Sequence, residues 1–180
     1  DPGGASPSLL KAIETKNLNL QYIVLTHGHG DHIGGVDELL ELYPGIKVAA
    51  PSKEKELLSD SILNSSRELY GRDIVIVPDV WVSDYDRIQV GDMELLFIET
   101  PGHTEGGMCI KCGKYLFSGD TLFRESIGRT DLYGGSYRQI LKSIKVKIYT
   151  LPDDTIVLPG HMGDTTVGNE KKRNPFVRED

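Results

Sequence analysis

The chain of 180 residues lacks several features that mark special classes of protein. Its two cysteines, Cys109 and Cys112, are too few for a disulfide scaffold, and we interpret their single CxxC, expected to straddle a hairpin turn, as structural. No apolar run approaches the roughly 20 residues that span a bilayer. The first residues, DPGGASPSLL, show neither the basic nor the apolar region of a signal peptide. We therefore expect a cytoplasmic protein without a membrane partner.

Positive charge is also scarce, because the chain has only 20 Lys and Arg compared with 27 Asp and Glu, which gives a net charge of −7. A nucleic-acid partner needs a basic surface that displaces the counterions of the phosphates, so none is expected. The length suffices for one compact core, and neither an internal repeat nor a linker is visible. We expect a single domain over residues 1–180.

Helical and strand patterns alternate along the chain. Helices are predicted for SPSLLKAIETKN with Ser6 as its cap, for VDELLELYPG, for most of 52–71, and for SYRQILKSIKVKIY with Ser136 as its cap. Strands are predicted for LQYIVLT (20–26), for KVAAP, in the hairpins RIQV-GD-MELLFIET and GGMCIKCGKYLFSGD, and for DTIVLPGH as the final strand. This mixture predicts an α+β fold.

All five histidines follow predicted strands. They are His27, His29 and His32 in THGHGDH, His103 in TPGHTEGG and His161 in PGHMGD, and the carboxylates Asp31 and Asp120 stand in the same kind of position. One histidine beside a glycine is usually a surface or core residue, but strand ends on one side of a sheet converge, and here every histidine follows a strand. Imidazole and carboxylate without thiolate suit zinc, iron or manganese. The pattern therefore predicts a metal site.

The motifs THGHGDH, TPGHTEGG, FSGDTLF and LPGH resemble those of the metallo-β-lactamase superfamily. The resemblance runs from DPGG at the start to NPFV near the end, and FSGDTLFRESIGRTDLYGGS is similar to the small glyoxalase II-like (hydroxyacylglutathione hydrolase-like) hydrolases. It implies an αβ/βα four-layer sandwich with metals at one edge. The family has strands before the segment matching DPGG, so we expect N-terminal strands to be absent here. The sheet edge left unpaired would then favour self-association and lower the stability of the chain.

The same resemblance implies two divalent transition metals, with zinc expected first and iron or manganese as alternatives. By position, His27, His29 and His103 hold the first metal, Asp31, His32 and His161 hold the second, and Asp120 bridges them. The nucleophile is then a hydroxide shared by the metals, and the substrate is a small-molecule thioester of the hydroxyacylglutathione type. Catalytic roles are assigned to Asp31 and Asp120.

Substrate contacts are predicted at Arg129, Tyr133 and Tyr137, in or beside the glycine-rich loop after Asp120, although loop packing explains these residues equally well. The basic run 171–173 suits the carboxylates of a glutathione-like thiol, but such a run is more often a solvated face.

Two other functions remain open. The persulfide dioxygenase branch of the superfamily also has a GRTD segment like residues 128–131, but binds one iron through two histidines and an aspartate. A metal-binding module without catalysis is the other. β-Lactamases of the superfamily generally lack the bridging aspartate, which favours a different hydrolase.

Overall fold

The computed structural model describes residues 1–177, which form two β-sheets flanked by helices. The strands are β1 (Tyr22–Val24), β2 (Lys47–Pro51), β3 (Val80–Val82), β4 (Arg87–Val90), β5 (Met93–Glu99), β6 (Met108–Cys112), β7 (Tyr115–Gly119), β8 (Leu122–Phe123), β9 (Ser126–Ile127), β10 (Ile156–Pro159) and β11 (Thr165–Thr166). The α-helices are α1 (Pro7–Thr15), α2 (Gly30–Ile33), α3 (Val36–Leu42), α4 (Lys55–Ser59), α5 (Ser66–Tyr70), α6 (Tyr137–Ser143) and α7 (Val167–Arg173).

The first sheet has the parallel order β1-β2-β3, and the second has the mixed order β11-β10-β7-β6-β5-β4. In the second sheet β10 and β7 are parallel, while β5, β6 and β7 are successively antiparallel. Strands β5, β7 and β10 therefore point the same way, and their carboxyl ends lie at one edge. A separate two-stranded ribbon, β8–β9, follows β7 directly.

Alternating side chains of the strands place the core in three apolar layers. Phe97 and Met108 pack with Val82 between the two sheets, whereas Ile98 and Cys109, one position along, pack against the helical residues around Ile140. This period of two is the geometry of a strand buried on both faces. A third cluster joins the outer face of the first sheet to α2 and α3. The four-layer αβ/βα sandwich that the sequence predicts is confirmed.

Most sequence-based elements are present with shorter bounds. Ser6 caps α1 by accepting the Leu9 N–H, Ser136 caps α6 by accepting the Gln139 N–H, and both predicted hairpins form with two-residue turns. The strand expected over 20–26 is limited to β1. Both cysteines lie on β6 as free thiols and do not straddle the turn.

One expectation about elements is wrong, because β10 is not the last strand and β11 follows it. The stretch 52–71 is mostly helical and ends at Gly71 as predicted. It is divided between α4 and α5, because the Asp60 carboxylate accepts the N–H groups of Ile62 and Leu63 and turns the chain. The helix predicted after its Ser136 cap is confirmed as α6 followed by a π-helical turn over Ile144–Ile148.

The edge strands of the three-stranded sheet are β1 and β3. Self-association through such an edge stays a prediction, as does the single-domain organisation. Within residues 1–177, no helix has both the length and the apolar character that crossing a bilayer requires.

Candidate metal centre

The seven predicted ligands meet at one end of the sandwich. His27 and His29 lie between β1 and α2, Asp31 and His32 lie on α2, His103 follows β5, Asp120 directly follows β7, and His161 follows β10. Three of these strands belong to the second sheet and end at the same edge of it. The fourth, β1, belongs to the first sheet, so the ligands come from both sheets and not from the single sheet edge that the sequence suggested.

The first cluster contains His27, His29 and His103. One ring nitrogen from each lies within 4.8 Å of the others, and Nδ1 of His29 is 2.9 Å from Nε2 of His103. All three side chains are buried, with at most 4% of the residue exposed. This arrangement can hold a metal ion on three imidazoles.

The second cluster contains Asp31, His32 and His161, whose ligand atoms also lie within 4.8 Å of one another. Nε2 of His161 is 3.1 Å from Oδ2 of Asp31, and Nε2 of His32 is 3.8 Å from the same oxygen. The side chains of His161 and Asp31 are 49% and 41% exposed. The second cluster is therefore the one that faces solvent.

Asp120 contacts both clusters. Its Oδ2 lies 3.6 Å from Nε2 of His103 and 3.5 Å from Nε2 of His161, while Oδ1 lies 3.3 Å from Nε2 of His32. Gly160 makes room for this approach, because a Cβ at that position would lie 2.5 Å from Oδ1 of Asp120 and 2.5 Å from Cε1 of His32. One carboxylate thus reaches ligand atoms of two clusters.

The donor set fits a metal centre because it leaves polar atoms buried without partners. Nε2 of His27, His29 and His32 and Oδ1 of Asp120 have no hydrogen-bond partner in the part of the chain that the structure describes. Native proteins rarely bury several such atoms together without an ion or a water molecule. Four unsatisfied atoms, all lone-pair donors, are what a cation would satisfy.

The protonation states favour metal binding as well. Burial lowers the pKa of His27 well below its ordinary value and that of His29 to about 4, and the neighbouring imidazoles add to both shifts. Burial also lowers the pKa of His103. Burial alone would raise the pKa of Asp120, but its close contact with His32, together with the nearby imidazoles of His103 and His161, holds it below its ordinary value. The first cluster therefore presents neutral imidazoles beside the Asp120 carboxylate, the forms that bind metals.

Outer hydrogen bonds orient the rings. Nδ1 of His103 donates to the backbone carbonyl of Arg129 at 2.8 Å, so its Nε2 carries the lone pair that can bind a metal. Nδ1 of His32 lies 3.1 Å from Oδ2 of Asp1, and Nδ1 of His27 lies 3.0 Å from Oγ1 of Thr26. These partners fix ring orientation before any metal binds.

Asp1 and Glu54 are residues that sequence reasoning missed. The Asp1 carboxylate accepts the N–H and hydroxyl of Thr26 in addition to contacting His32. Its ligand atom also groups with His27 and His32, but these hydrogen bonds mark it as an outer partner. Glu54 is buried and bonds the backbone of two ligand loops. The DPGG motif, where the family resemblance begins, could have pointed to Asp1. Glu54 is an acidic residue within a predicted helical stretch, and nothing in that pattern indicates a role at the site.

A cleft of about 610 Å³ opens beside the second cluster. It is lined by His29, Asp31, His103, Asp120 and His161 together with the apolar side chains of Leu69, Phe123, Ile127, Leu132 and Met162. A small organic substrate could therefore reach ligand atoms of both clusters against an apolar wall.

The three predicted substrate contacts lie in different places. Arg129 lines the cleft, although its guanidinium makes two hydrogen bonds to Asp131 at 2.7 and 2.8 Å. Tyr133 faces a small neighbouring pocket, where a hydrogen bond to Glu56 raises its pKa. Tyr137 is exposed at the start of α6 and does not line the cleft. In the basic run, Lys171 pairs with Asp153 at 2.7 Å.

Curated relatives resemble the chain over nearly its whole length. A probable metallo-hydrolase, YqgX from Bacillus subtilis, is 39% identical over 180 residues, which cover 98% of this chain and 85% of the relative. The hydroxyacylglutathione hydrolase GloC from Haemophilus influenzae is 35% identical over 181 residues, with 98% and 85% covered.

Solved structures give the same result for the fold. The B3 metallo-beta-lactamase BLEG-1 is 40% identical with a TM-score of 0.90, over 98% of this chain and 86% of that one. TTHA1623 in a di-iron-bound form is 31% identical with a TM-score of 0.85, over 98% and 87%. ETHE1 from Myxococcus xanthus is 28% identical with a TM-score of 0.75, over 92% and 66%. Residues 1–161 match the family model of the metallo-beta-lactamase superfamily, and the chain belongs to that superfamily.

Proposed function

We propose that the protein is a metal-dependent hydrolase with two metal sites, and that it cleaves a small-molecule thioester of the hydroxyacylglutathione type. The single observation that carries this proposal is Asp120, whose carboxylate contacts ligand atoms of both clusters. Two metals, zinc first and iron or manganese as alternatives, would supply hydroxide at neutral pH and polarise the substrate carbonyl. The first would be held by His27, His29 and His103, and the second by Asp31, His32 and His161, with Asp120 shared.

The protein's own residues prepare this chemistry. The outer hydrogen bonds of His103 and His32 hold their Nε2 atoms toward Asp120, so little reorganisation is needed on metal binding. The exposed side of the second cluster admits substrate and water through the cleft, while the first cluster stays buried. Asp31 lies at this open side, where it would help to hold the second metal close to the substrate.

The leaving group determines what the site must supply. A thiolate needs little protonation, so cleavage of a thioester does not require the site to supply a general acid. The relative GloC, described as a hydroxyacylglutathione hydrolase, supports this substrate class, and Arg129 at the cleft is the side chain that we propose for an anionic part of the substrate. The proposal also includes a cytoplasmic location, which the two free thiols support. It includes no nucleic-acid partner, which the net charge of −7 supports.

A persulfide dioxygenase that uses one iron is the second candidate. The segment 128–131 favours it, because its sequence resembles the GRTD segment of that branch of the superfamily. This reaction would use two histidines and Asp120 and would leave the Asp31, His32 and His161 cluster without a role. The completeness of that cluster is why we prefer the hydrolase.

An oxygen-free thioesterase assay separates these functions. Metal-loaded protein should cleave S-lactoylglutathione at the same rate with and without oxygen. In parallel, an oxygen electrode with glutathione persulfide should show no uptake. Oxygen consumption without thioester cleavage would identify the dioxygenase, and a β-lactam such as nitrocefin in the same panel tests the activity that the name of BLEG-1 suggests for that protein.

A further inference from the structure

Glu54 is a buried carboxylate that belongs to neither metal cluster. It ends the short helical turn Ser52–Glu54 after β2 and is 1% exposed. Burying a carboxylate is costly, and burial raises the pKa of Glu54 above its ordinary value. The hydrogen bonds that offset this cost therefore show what the side chain holds in place.

Each carboxylate oxygen of Glu54 binds a different ligand loop. Oε2 accepts the backbone N–H of Gly28 at 2.8 Å, and Gly28 lies between His27 and His29. Oε1 accepts the backbone N–H of Gly106 at 2.8 Å, and Gly106 lies in the loop that carries His103. One side chain thus connects the two loops that supply the first cluster.

The glycine at 106 is explained by the same contact. A Cβ at Gly106 would lie 2.7 Å from both the backbone nitrogen and Oε1 of Glu54, closer than real Cβ contacts occur. A Cβ at Gly28 would lie 3.3 Å from Oε2. The missing side chain at Gly106 is therefore what lets that backbone reach the carboxylate, and a side chain at Gly28 would crowd the other oxygen.

We propose that Glu54 is a positioning residue that sets the separation of the loop of His27 and His29 from the loop of His103, and thereby the metal affinity of the first cluster. It acts through the backbone and contacts no metal. The proposal uses the metal centre of the proposed function but not its reaction, so it survives if the substrate is a different one.

The test measures binding of Co²⁺ or Zn²⁺ alone, by titration against a competing chelator, in proteins reduced to one site. In a His161→Ala background, which keeps the first cluster, Glu54→Gln should weaken metal binding by about 10-fold, within the range for losing a partner of a metal ligand. The glutamine can accept only one of the two N–H groups and turns its NH₂ toward the other. In a His103→Ala background, which keeps the second cluster, the same change should alter affinity by less than about 2-fold, below the effect of losing a ligand partner.

Two variants separate positioning from charge and from general stability. Glu54→Asp keeps the charge but is one methylene shorter, so it should also weaken the first site. Glu170→Gln is the matched control, because Glu170 is fully buried and accepts the Glu125 N–H and the Thr165 hydroxyl but bonds neither ligand loop. It should lower the unfolding midpoint and leave the metal affinity of the first site unchanged.

Three results would overturn the proposal: unchanged affinity in Glu54→Gln, full affinity in Glu54→Asp, or equal losses in the two backgrounds. A native chain that binds no metal would overturn the proposed function together with this role. If Glu54→Gln weakens metal binding but the native chain cleaves no thioester, only the proposed reaction is contradicted, and the role of Glu54 stands.

Discussion

Oδ2 of Asp120 lies 3.6 Å from Nε2 of His103, a contact that joins the carboxylate after β7 to the buried cluster of histidines. The same oxygen lies 3.5 Å from Nε2 of His161, which belongs to the second cluster. Asp120 therefore contacts ligands of both clusters, and its loss should affect both.

Replacing Asp120 with alanine should lower kcat for thioester hydrolysis by about 100-fold or more, beyond the effect of losing an outer hydrogen-bond partner of a ligand. The physical reason is that the Asp120 carboxylate lies between the clusters, 3.3 to 3.6 Å from ligand atoms of both. Steady-state kinetics of the metal-saturated variant, with circular dichroism to confirm folding, would measure this. A loss of only a few-fold would show that the two clusters do not act together.

Cys109 supplies a contrasting variant. Its thiol is fully buried, and burial raises its pKa to about 11, so it is neither accessible nor ionised at neutral pH. Cys109→Ala should keep kcat and KM within about 2-fold, because nothing in a thiol of this kind makes it a nucleophile. A large loss of kcat with unchanged stability would require a thiol-based mechanism instead.

Much of the site could be predicted from the sequence because its ligands have chemistry visible in single residues. The five histidines and two aspartates follow predicted strands and stand beside glycines, which indicated a shared site. The pattern did not predict that β1 belongs to a different sheet from β5, β7 and β10. The residues that orient the ligands were not predictable, since their roles depend on tertiary contacts. Arg129 illustrates this: its side chain was the predicted feature, but its backbone carbonyl is what accepts the hydrogen bond from His103.

The fold shows the same division. Hairpins with glycine in their turns and helices with serine caps were predictable, because local conformation decides them. Short elements such as β3, β8, β9 and β11 were not, since two or three residues carry no periodicity. The break between α4 and α5 depends on the Asp60 turn, which interrupts an otherwise helical pattern.

Arg129→Ala should raise KM for a glutathione thioester with little change in kcat. If the guanidinium binds an anionic part of the substrate equally in the ground and transition states, its loss costs binding alone. A KM increase of about 10-fold corresponds to ~1.4 kcal/mol. The backbone carbonyl that orients His103 remains, so kcat should survive. Asp131→Asn is the matched control, because it frees the Arg129 guanidinium from its ion pair and should not raise KM. An unchanged KM in Arg129→Ala would show that Arg129 does not bind the substrate.

The metal-free protein should lose stability as the pH falls from about 6.5 to about 4, the window between the ordinary pKa of histidine and that of His29 in the fold. In this window the unfolded chain takes up protons that the buried His27, His29 and His103 do not. The free energy of unfolding therefore decreases as the pH falls. Urea unfolding at several pH values would measure the slope. His29→Asn should show a smaller slope, and identical slopes for the two proteins would contradict the assignment.

Metal content tests the central claim most directly, namely that the two clusters are two metal sites that share Asp120. Elemental analysis of protein equilibrated with Zn²⁺ and freed of excess metal should give two metals per chain. His161→Ala removes a ligand from the second cluster and should give one metal per chain. Asp120→Ala should weaken metal binding at both sites. Saturation of the native chain at one metal, with His161→Ala unchanged, would contradict the two-site account and favour the dioxygenase.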